Sequence, residues 1–203
     1  MLKIKIEDVG SGVFFTSDLH FRHGNIIKYC NRPFETVQEQ TEKLIENWNK
    51  TVPDTAIVFI LGDFAFASKN QQRTILQKLT GKKYLVLGNH DQNIPEEEFE
   101  GIYDLVEVSI KVGENWETFI LSHRPLLCWE GSEKGYKHLF GHVHSCGTRE
   151  ETCENGDAEL VKLLSYRPMY DVGVDNNDYK PISVEEVLEQ IKNKIKNEHK
   201  STY

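Results

Sequence analysis

The order of apolar and polar residues along the chain predicts a fold that mixes strands and helices. Short runs rich in β-branched and aromatic residues, each closed by a polar or glycine-containing turn, predict strands at 2–6, 13–15, 57–61, 84–87, 105–110, 118–121 and 138–140. Between several of these runs, apolar residues share one helical face from Val37 to Trp48, and a shorter stripe runs from Ile75 to Leu79. We therefore predict a mixed α/β fold.

A last helix is predicted after residue 183. Ser183 followed by Glu186 forms a capping-box pattern, and apolar residues continue at helical spacing from Val184 to Ile195. No internal repeat, low-complexity tract or proline-rich linker interrupts the sequence, and 203 residues lie within the usual size of one domain. We expect a single domain over residues 1–203.

The net charge narrows the range of partners. A formal charge of −8 disfavours electrostatically driven binding to nucleic-acid backbones or anionic membranes, because both partners would be repelled at long range. Bound divalent ions would nevertheless reverse the sign of the potential inside a carboxylate-lined cleft. Net charge alone therefore does not settle the substrate.

The N-terminal residues and the cysteines indicate the compartment. The segment MLKIKIEDVG alternates apolar and charged residues, without an apolar run long enough for a signal peptide or a membrane-spanning helix. The cysteines show no paired spacing of the zinc-ribbon kind, and a chain of this size needs no disulfide bonds to fold. They are Cys30, Cys128, Cys146 and Cys153. We expect reduced thiols, a cytoplasmic location and no membrane partner.

Aspartate and histidine residues cluster directly after predicted strands. The clusters are Ser17-Asp18-Leu19-His20, Gly62-Asp63, Gly88-Asn89-His90-Asp91, Ser122-His123 and Gly141-His142-Val143-His144. In layered α/β folds, groups at the carboxyl ends of adjacent strands converge on one rim, so clusters distant in sequence share a cleft. Carboxylate, imidazole and amide oxygen together suit Mn, Fe or Zn. One Asp-x-His pair is weak evidence, whereas five such clusters in order predict a metal site.

These clusters make the sequence resemble the calcineurin-like metallophosphoesterase superfamily. Its signature blocks are Asp-x-His, Gly-Asp, Gly-Asn-His-Asp/Glu, a separate His and Gly-His-x-His, and all of them occur in order between Asp18 and His144. Residues 18–25 are similar to a small bacterial and phage branch of the superfamily. The resemblance implies a four-layer αββα sandwich of two mixed β-sheets, with a dinuclear metal site at the rim formed by the C-terminal ends of the strands.

The resemblance also implies a ligand set for two divalent metal ions. One ion is assigned to Asp18, His20 and His144, the other to Asn89, His123 and His142, and Asp63 is expected to bridge them. Mn is the first metal to test, and Fe, Zn, Ni and Mg are alternatives, since such ligands accept several divalent ions. Two ions about 3.5–4 Å apart lower the pKa of a bridging water and bind both the attacking and the leaving oxygen of a displacement reaction.

His90 corresponds to the superfamily's histidine beside the phosphate, which makes it a candidate general acid for the leaving oxygen. Asp91 follows it and is expected to orient its imidazole and favour the protonated form. The alternative for His90 is a group that only hydrogen-bonds the site. His23 and Arg124 are candidates for substrate binding together with Asn89 and His90, although turn residues such as these often point to solvent.

The function expected from this site is hydrolysis of a phosphomonoester or phosphodiester, with a small phosphate ester as substrate. Two other functions stay open. A scaffold of the same fold would bind metal without turnover, although scaffold relatives typically lose ligands that this chain retains. A nuclease would use the same chemistry, but the sequence contains no basic tract or aromatic ladder for a strand. The oligomeric state is not indicated by the sequence.

Overall fold

The computed structural model describes residues 1–145 and 167–201. The strands of this part are β1 (Leu2–Ile6), β2 (Val13–Thr16), β3 (Ile57–Ile60), β4 (Lys82–Val86), β5 (Gly101–Tyr103), β6 (Leu105–Val112), β7 (Asn115–Ser122), β8 (Lys137–Phe140), β9 (Met169–Asp171) and β10 (Ile182–Ser183). Its helices are α1 (Gly24–Tyr29), α2 (Val37–Thr51), α3 (Lys69–Leu76) and α4 (Val184–Ser201). Short 3-10 turns lie at Glu96–Glu98, Ser132–Lys134 and Val174–Asn176.

The strands form two mixed sheets. One sheet has the order β1-β6-β7-β8-β9, in which only the β6–β7 pair is antiparallel. The other has the order β10-β2-β3-β4-β5, in which only β10 is antiparallel to its neighbour. Both sheets therefore contain a run of parallel strands, whose carboxyl ends point the same way.

The two sheets pack face to face over one apolar cluster. Phe15 and Phe59 from the second sheet meet Phe119 from the first, with ring centroids 5.8 Å apart for Phe15–Phe59 and 5.6 Å apart for Phe15–Phe119. Val187 and Ile191 of α4 join the same cluster. Burying a side chain of this size stabilises a fold by roughly 1.5–3 kcal/mol, so this layer holds the sheets in fixed relation.

Helices α2 and α3 cover the outer face of the second sheet. Thr36 caps α2 by accepting a hydrogen bond from the Glu39 backbone N–H at 3.1 Å, and the fully buried Trp48 packs on the sheet. On the outer face of the first sheet, Trp129 packs with Ile120 and Phe140. None of the described helices has the length and apolar character needed to cross a membrane.

The predicted α/β sandwich of two mixed sheets is confirmed, and every predicted strand is present. The Ser183–Glu186 capping box also forms, through hydrogen bonds of 2.9 and 3.2 Å. Strands β5, β9 and β10 are not among the predicted runs, because two or three residues are too few to show an alternating pattern. Of the cysteines, Cys30 is buried and Cys128 exposed, whereas Cys146 and Cys153 lie outside the described residues.

Candidate metal centre

The turns that follow β2, β3, β4, β7 and β8 meet at one rim of the sandwich, so both sheets contribute side chains to the same place. Backbone hydrogen bonds tie these turns together. The Asp18 N–H donates to the Gly62 carbonyl at 3.1 Å, and the His20 N–H donates to the Asp63 carbonyl at 2.9 Å. The Gly141 N–H donates to the His123 carbonyl at 2.9 Å. The turns therefore form one connected layer of backbone beneath the site.

Several residues of this layer have left-handed backbone conformations. The non-glycine residues with positive φ there are Asp18 (56°), His20 (48°), Asp63 (54°), His142 (71°) and His144 (46°). This conformation costs about 1–3 kcal/mol for a residue with a side chain, and it persists only where the surrounding structure enforces it. Strain concentrated on these residues is the pattern expected of a functional site.

A first cluster consists of Asp18, His20 and His144. Oδ1 of Asp18 lies 4.0 Å from Nε2 of His20 and 3.7 Å from Nε2 of His144. The other carboxylate oxygen of Asp18 accepts a hydrogen bond from the His142 backbone N–H at 2.9 Å. This bond fixes the carboxylate and leaves Oδ1 pointing toward the two imidazoles.

A second cluster consists of Asp63, His123 and His142. Nδ1 of His123 is held by the Leu61 carbonyl at 2.8 Å, and its Nε2 lies 3.1 Å from Oδ1 of Asn89. Asn89 therefore adjoins this cluster. The His123 and His142 rings meet edge to face with centroids 5.0 Å apart.

Asp63 stands between the two clusters. Its Oδ2 lies 3.5 Å from Nε2 of His20 and 3.6 Å from Nε2 of His123. Its Oδ1 accepts a hydrogen bond from the His90 backbone N–H at 3.0 Å. One oxygen is thus occupied by the backbone, while the other faces an imidazole of each cluster.

The donor atoms of the first cluster fit a divalent cation. Oδ1 of Asp18 and Nε2 of His20 are buried and have no hydrogen-bond partner among the described residues, which is costly unless a cation binds there. Ligand atoms around one ion of this type stand about 3–3.5 Å apart, since each lies about 2.1 Å from it. The measured separations of 3.7 and 4.0 Å approach this spacing and exceed that of a hydrogen bond.

The electrostatics of the two clusters also suit a cation. Burial, reinforced by the neighbouring His144 and Arg32, holds the pKa of His20 well below its usual value, so its imidazole is neutral as metal binding requires. Burial followed by His123 and Arg124 lowers the pKa of His142 to about 4. Burial opposes charge on His144, yet Asp18 and Asp175 outweigh it and raise its pKa to about 9. Positive charge is therefore favoured beside Asp18.

Two residues that support the first cluster were missed by the sequence analysis. Oδ2 of Asp175 lies 2.8 Å from Nδ1 of His144, and both carboxylate oxygens accept hydrogen bonds from Arg32 at 2.8 Å. Arg32 also donates to the Asp18 carbonyl at 2.7 Å. The side chains of Arg32 and Asp175 are almost fully buried. A partner 143 residues away in sequence leaves no spacing signal, so this pair was not predictable.

Asp171, at the end of β9, was also missed. Its carboxylate accepts hydrogen bonds from the backbone N–H groups of Gly173 at 2.8 Å and Ser145 at 3.1 Å. Burial and the nearby Asp18 raise its pKa to about 6. Asp171 stands at the end of a short strand, so the rule that polar residues at a strand end converge on the rim extends to it.

The expected contact between Asp91 and the imidazole of His90 is not formed. The Asp91 carboxylate instead accepts hydrogen bonds from the backbone N–H groups of Asp63 and Gly88, at 2.9 and 2.8 Å, and of Phe64 at 2.9 Å. A carboxylate one residue after His90 reaches these amides because the turn after β4 folds back on the turn after β3. Asp91 therefore organises the turn that carries Asp63.

Glycine is required where these two turns touch. A Cβ on Gly62, which has φ of +88°, would lie 2.6 Å from Nδ1 of His123 and 2.7 Å from the Gly88 backbone. A Cβ on Gly88 would collide with the side chain and the backbone nitrogen of Asp63. These two glycines therefore allow two backbones to approach each other closely.

His23, His90 and Arg124 border the two clusters. The His23 and His90 rings lie 5.4 and 5.9 Å from the His20 ring, and both line a cavity of about 440 Å³ beside the first cluster. Arg124 is exposed, and its Nη1 donates to Nε2 of His142 at 2.8 Å. Its positive charge therefore stands at the second cluster, beside a separate cavity of about 410 Å³.

Known proteins are similar to this chain over most of its length. A family model with the description "Calcineurin-like phosphoesterase" matches residues 12–190. Uncharacterized protein MJ1445 of Methanocaldococcus jannaschii is 34% identical over 182 residues, which cover 88% of this chain and 90% of that protein. The crystal structure of the protein of unknown function AQ665 from Aquifex aeolicus has a TM-score of 0.63 and 28% identity, over 89% of this chain and 100% of that one.

Proposed function

Because the chain belongs to the calcineurin-like phosphoesterase family, we propose that it hydrolyses a phosphomonoester or phosphodiester with two divalent metal ions. The position of Asp63 carries this proposal. One of its carboxylate oxygens faces His20 at 3.5 Å and His123 at 3.6 Å, one imidazole from each cluster. A single carboxylate oxygen that faces one imidazole from each cluster is suited to bridging two cations.

The proposed ligands of one ion are Asp18, His20 and His144, those of the other are Asn89, His123 and His142, and Asp63 is shared. When bound, two divalent ions supply a nucleophile at neutral pH by lowering the pKa of water, and they offset charge on the phosphoryl oxygens. The chain contributes preorganisation. Its ligands stand on turns joined by backbone hydrogen bonds, so little reorganisation accompanies the reaction.

His90 is the proposed proton donor to the leaving oxygen. Its side chain is exposed at the cavity, while its backbone N–H is fixed to Oδ1 of Asp63 at 3.0 Å. This bond places the residue next to the shared carboxylate and leaves the imidazole facing the cavity. A histidine is well suited to proton transfer near neutral pH, because its ordinary pKa is close to that pH.

Arg124 and His23 are the proposed contacts of the phosphate, together with Asn89 and His90. The Arg124 guanidinium already reaches His142 at 2.8 Å, so its charge is available at the second cluster. Guanidinium groups bind phosphate oxygens through paired donors, which gives both charge and direction. His23 lies beside the first cluster and lines the 440 Å³ cavity, whereas Arg124 lines the other cavity. The two residues would therefore approach a bound phosphate from different sides.

Hydrolysis of bis-p-nitrophenyl phosphate and p-nitrophenyl phosphate by metal-stripped protein tests the proposal. The protein is reloaded with Mn first and then with Fe, Zn, Ni or Mg, and bound metal is counted by elemental analysis. We expect turnover that depends on metal and is lost in Asp63→Asn. The diester-to-monoester ratio then defines the substrate class. Two bound ions without turnover on either ester would identify a metal-binding scaffold instead.

A further inference from the structure

Two exposed aromatic side chains border the cavity beside the first cluster. Phe66 is 40% exposed and Tyr29 is 47% exposed, although most large apolar side chains of the described residues are buried. Both line the 440 Å³ cavity that reaches His20 and His144. Exposed rings at the mouth of a cavity leave apolar surface in water, which favours binding of a ligand that covers it. We name Phe66 and Tyr29 the aromatic wall.

The aromatic wall is held in place by its neighbours. The Phe66 ring stacks on the His23 ring with centroids 3.9 Å apart and an interplanar angle of 19°. The Phe66 backbone N–H donates to the Phe21 carbonyl at 2.9 Å, beside the bridge between Phe21 and Ala65. Phe66 is therefore fixed at both backbone and ring, so a ligand that stacks on it meets little loss of side-chain freedom.

The described lining of the cavity that contains the aromatic wall includes no carboxylate, ammonium or guanidinium group other than the carboxylate of Asp63. Away from the two clusters, its described lining consists of His23, His90, the aromatic wall and the buried Ile26, Cys30 and Val143. No lysine, arginine or glutamate belongs to this lining. The organic group that this described lining favours is therefore a flat ring without a charge of its own.

The cavity on the other side of the site has a different character. It is lined by Asp104, Ser122, Arg124, Asn89 and His123, and also by Leu87 and Leu126. Hydrogen-bonding and charged groups of a substrate find partners there that the first cavity lacks away from the metal centre. The site is therefore asymmetric. The cavity next to the first cluster has aromatic side chains, and the cavity next to the second cluster has polar and charged ones.

We propose that the aromatic wall binds a flat, uncharged ring of the substrate, so that the substrate is a small phosphate ester of a nucleoside-like group. This inference rests on the proposed phosphoesterase function for its catalytic consequence. A cavity of 440 Å³ lies within the range of small-molecule sites, which run from about 300 to 1,000 Å³. The net charge of −8 gives no long-range attraction for a nucleic-acid strand, so a small ester is favoured over a polymer.

Adenosine 5′-monophosphate and ribose 5-phosphate test this proposal, because they share the scissile ester and differ only in the base. We expect kcat/KM of the Mn-loaded protein to be at least about tenfold higher for the nucleotide, as stacking of a base on an aromatic side chain allows. Equal kcat/KM for the two esters would overturn the proposal.

Variants of the aromatic wall then identify the source of the preference. Phe66→Leu and Tyr29→Leu keep an apolar side chain and remove the ring, and we expect each to lower the nucleotide-to-ribose ratio severalfold. Trp116→Leu is the matched control, because Trp116 is 41% exposed but lies on the outer face of the first sheet. A ratio unchanged in both wall variants, or reduced equally in the control, would count against the aromatic wall.

Binding without turnover separates this proposal from the proposed function. Adenosine and ribose carry no phosphate, and titration of each into the full chain is followed by NMR of the aromatic side chains. We expect adenosine to shift the resonances of Phe66 and Tyr29 and ribose to leave them unchanged. Selective binding of adenosine without hydrolysis of any ester would refute the phosphoesterase and keep the aromatic site. Hydrolysis of the esters without selective binding of adenosine would refute the aromatic site and keep the phosphoesterase.

Discussion

Nδ1 of His144 lies 2.8 Å from Oδ2 of Asp175, and the other nitrogen of the same ring faces Oδ1 of Asp18 at 3.7 Å. A hydrogen bond at one ring nitrogen fixes both the orientation and the tautomer of an imidazole, and thereby turns the opposite nitrogen toward a metal ion. Arg32 holds Asp175 in turn through two hydrogen bonds of 2.8 Å. His144 is thus supported by a chain of two buried residues.

The first prediction concerns Asp175→Asn, which keeps the size of the side chain and removes its charge. We expect the affinity for one of the two metal ions to fall about 10- to 100-fold, the usual cost of losing a carboxylate that orients a ligand histidine. Isothermal titration with Mn measures both sites. Asp178→Asn is the matched control, because Asp178 is an exposed aspartate of the same segment. Equal affinities in wild type and Asp175→Asn would show that Asp175 does not support His144.

The second prediction concerns the buried ion pair of Arg32 and Asp175. Arg32→Met preserves much of the side-chain volume but leaves the Asp175 carboxylate without its main partner. We expect the free energy of unfolding to fall by up to about 3–5 kcal/mol, because only His144 then remains to balance the buried charge of Asp175. Urea denaturation of the metal-free protein measures it.

A surface ion pair provides the comparison for Arg32. Arg73 pairs with Glu97, and their side chains are 34% and 48% exposed. Arg73→Met should lower the free energy of unfolding by less than about 1 kcal/mol, since water screens such a pair. A loss for Arg32→Met as small as that for Arg73→Met would contradict a structural role for the buried pair.

The third prediction concerns the contact between the turns after β3 and β4. In Gly88→Ala the added methyl group would collide with the side chain and backbone nitrogen of Asp63, and neither can move without shifting the carboxylate. We expect the stoichiometry of tightly bound Mn to fall below two ions and hydrolysis to be lost. Gly24→Ala is the control, since neither Gly24 nor Gly88 has a positive φ and the added methyl group at Gly24 would meet no atom within 4 Å. Normal metal binding by Gly88→Ala would show that the turns tolerate separation.

Much of the fold and of the two clusters was predictable from sequence, because both depend on local signals. Strands such as β2 and β3 are short apolar runs that end in polar turns, and Asp18 and Asp63 follow them within three residues. Residues at the carboxyl ends of neighbouring parallel strands lie at the same rim of the sheet, independently of the connecting segments. The clusters therefore follow from strand ends alone.

The supporting contacts were not predictable, because they depend on tertiary packing. Arg32 and Asp175 are joined only when the segment after α1 meets the turn after β9. Asp91 was expected to act on its neighbour His90, yet sequence adjacency does not determine where a carboxylate points. Its three backbone partners belong to two different turns. Contacts of this kind are determined by the tertiary structure and leave no pattern in the sequence.

The fourth prediction tests His90 as the proton donor. His90→Asn removes the group that would protonate the leaving oxygen, and a poor leaving group needs that proton far more than nitrophenolate does. We expect the loss of kcat/KM to exceed about 100-fold for alkyl phosphates and to be much smaller for p-nitrophenyl phosphate. A plot of log kcat/KM against leaving-group pKa measures the change in slope.

His23→Asn is the matched control for His90. His23 lines the same cavity and stacks on Phe66, but it is proposed to bind the phosphate and not to protonate the leaving oxygen. Its replacement should lower kcat/KM by a similar factor for every ester and leave the slope unchanged. Parallel slopes for wild type and His90→Asn would remove the acid role from His90.

The fifth prediction concerns the buried His138, which lies apart from the metal centre. Its Nδ1 donates to the Ile120 carbonyl at 2.8 Å, and its Nε2 accepts from the Leu126 N–H at 3.0 Å. Protonation would set an N–H at Nε2 against the Leu126 N–H. Burial is the main cause that lowers the pKa of His138 to about 4, while its hydrogen bonds to backbone oppose that shift. The folded state therefore keeps this imidazole neutral.

The consequence is a loss of stability in acid. Between pH 6.5 and about 4 the unfolded chain binds a proton that the folded protein excludes, so the free energy of unfolding decreases as pH falls through this range. The difference of about 2.5 pKa units corresponds to roughly 3 kcal/mol. Urea denaturation of metal-free wild type and His138→Asn at a series of pH values isolates the contribution of His138 to the pH dependence of the free energy of unfolding. We expect the variant to be less stable than wild type at pH 7 and the gap to narrow by about that amount at pH 4. A gap that stays constant with pH, or an NMR titration of His138 with an ordinary pKa near 6.5, would contradict the assignment.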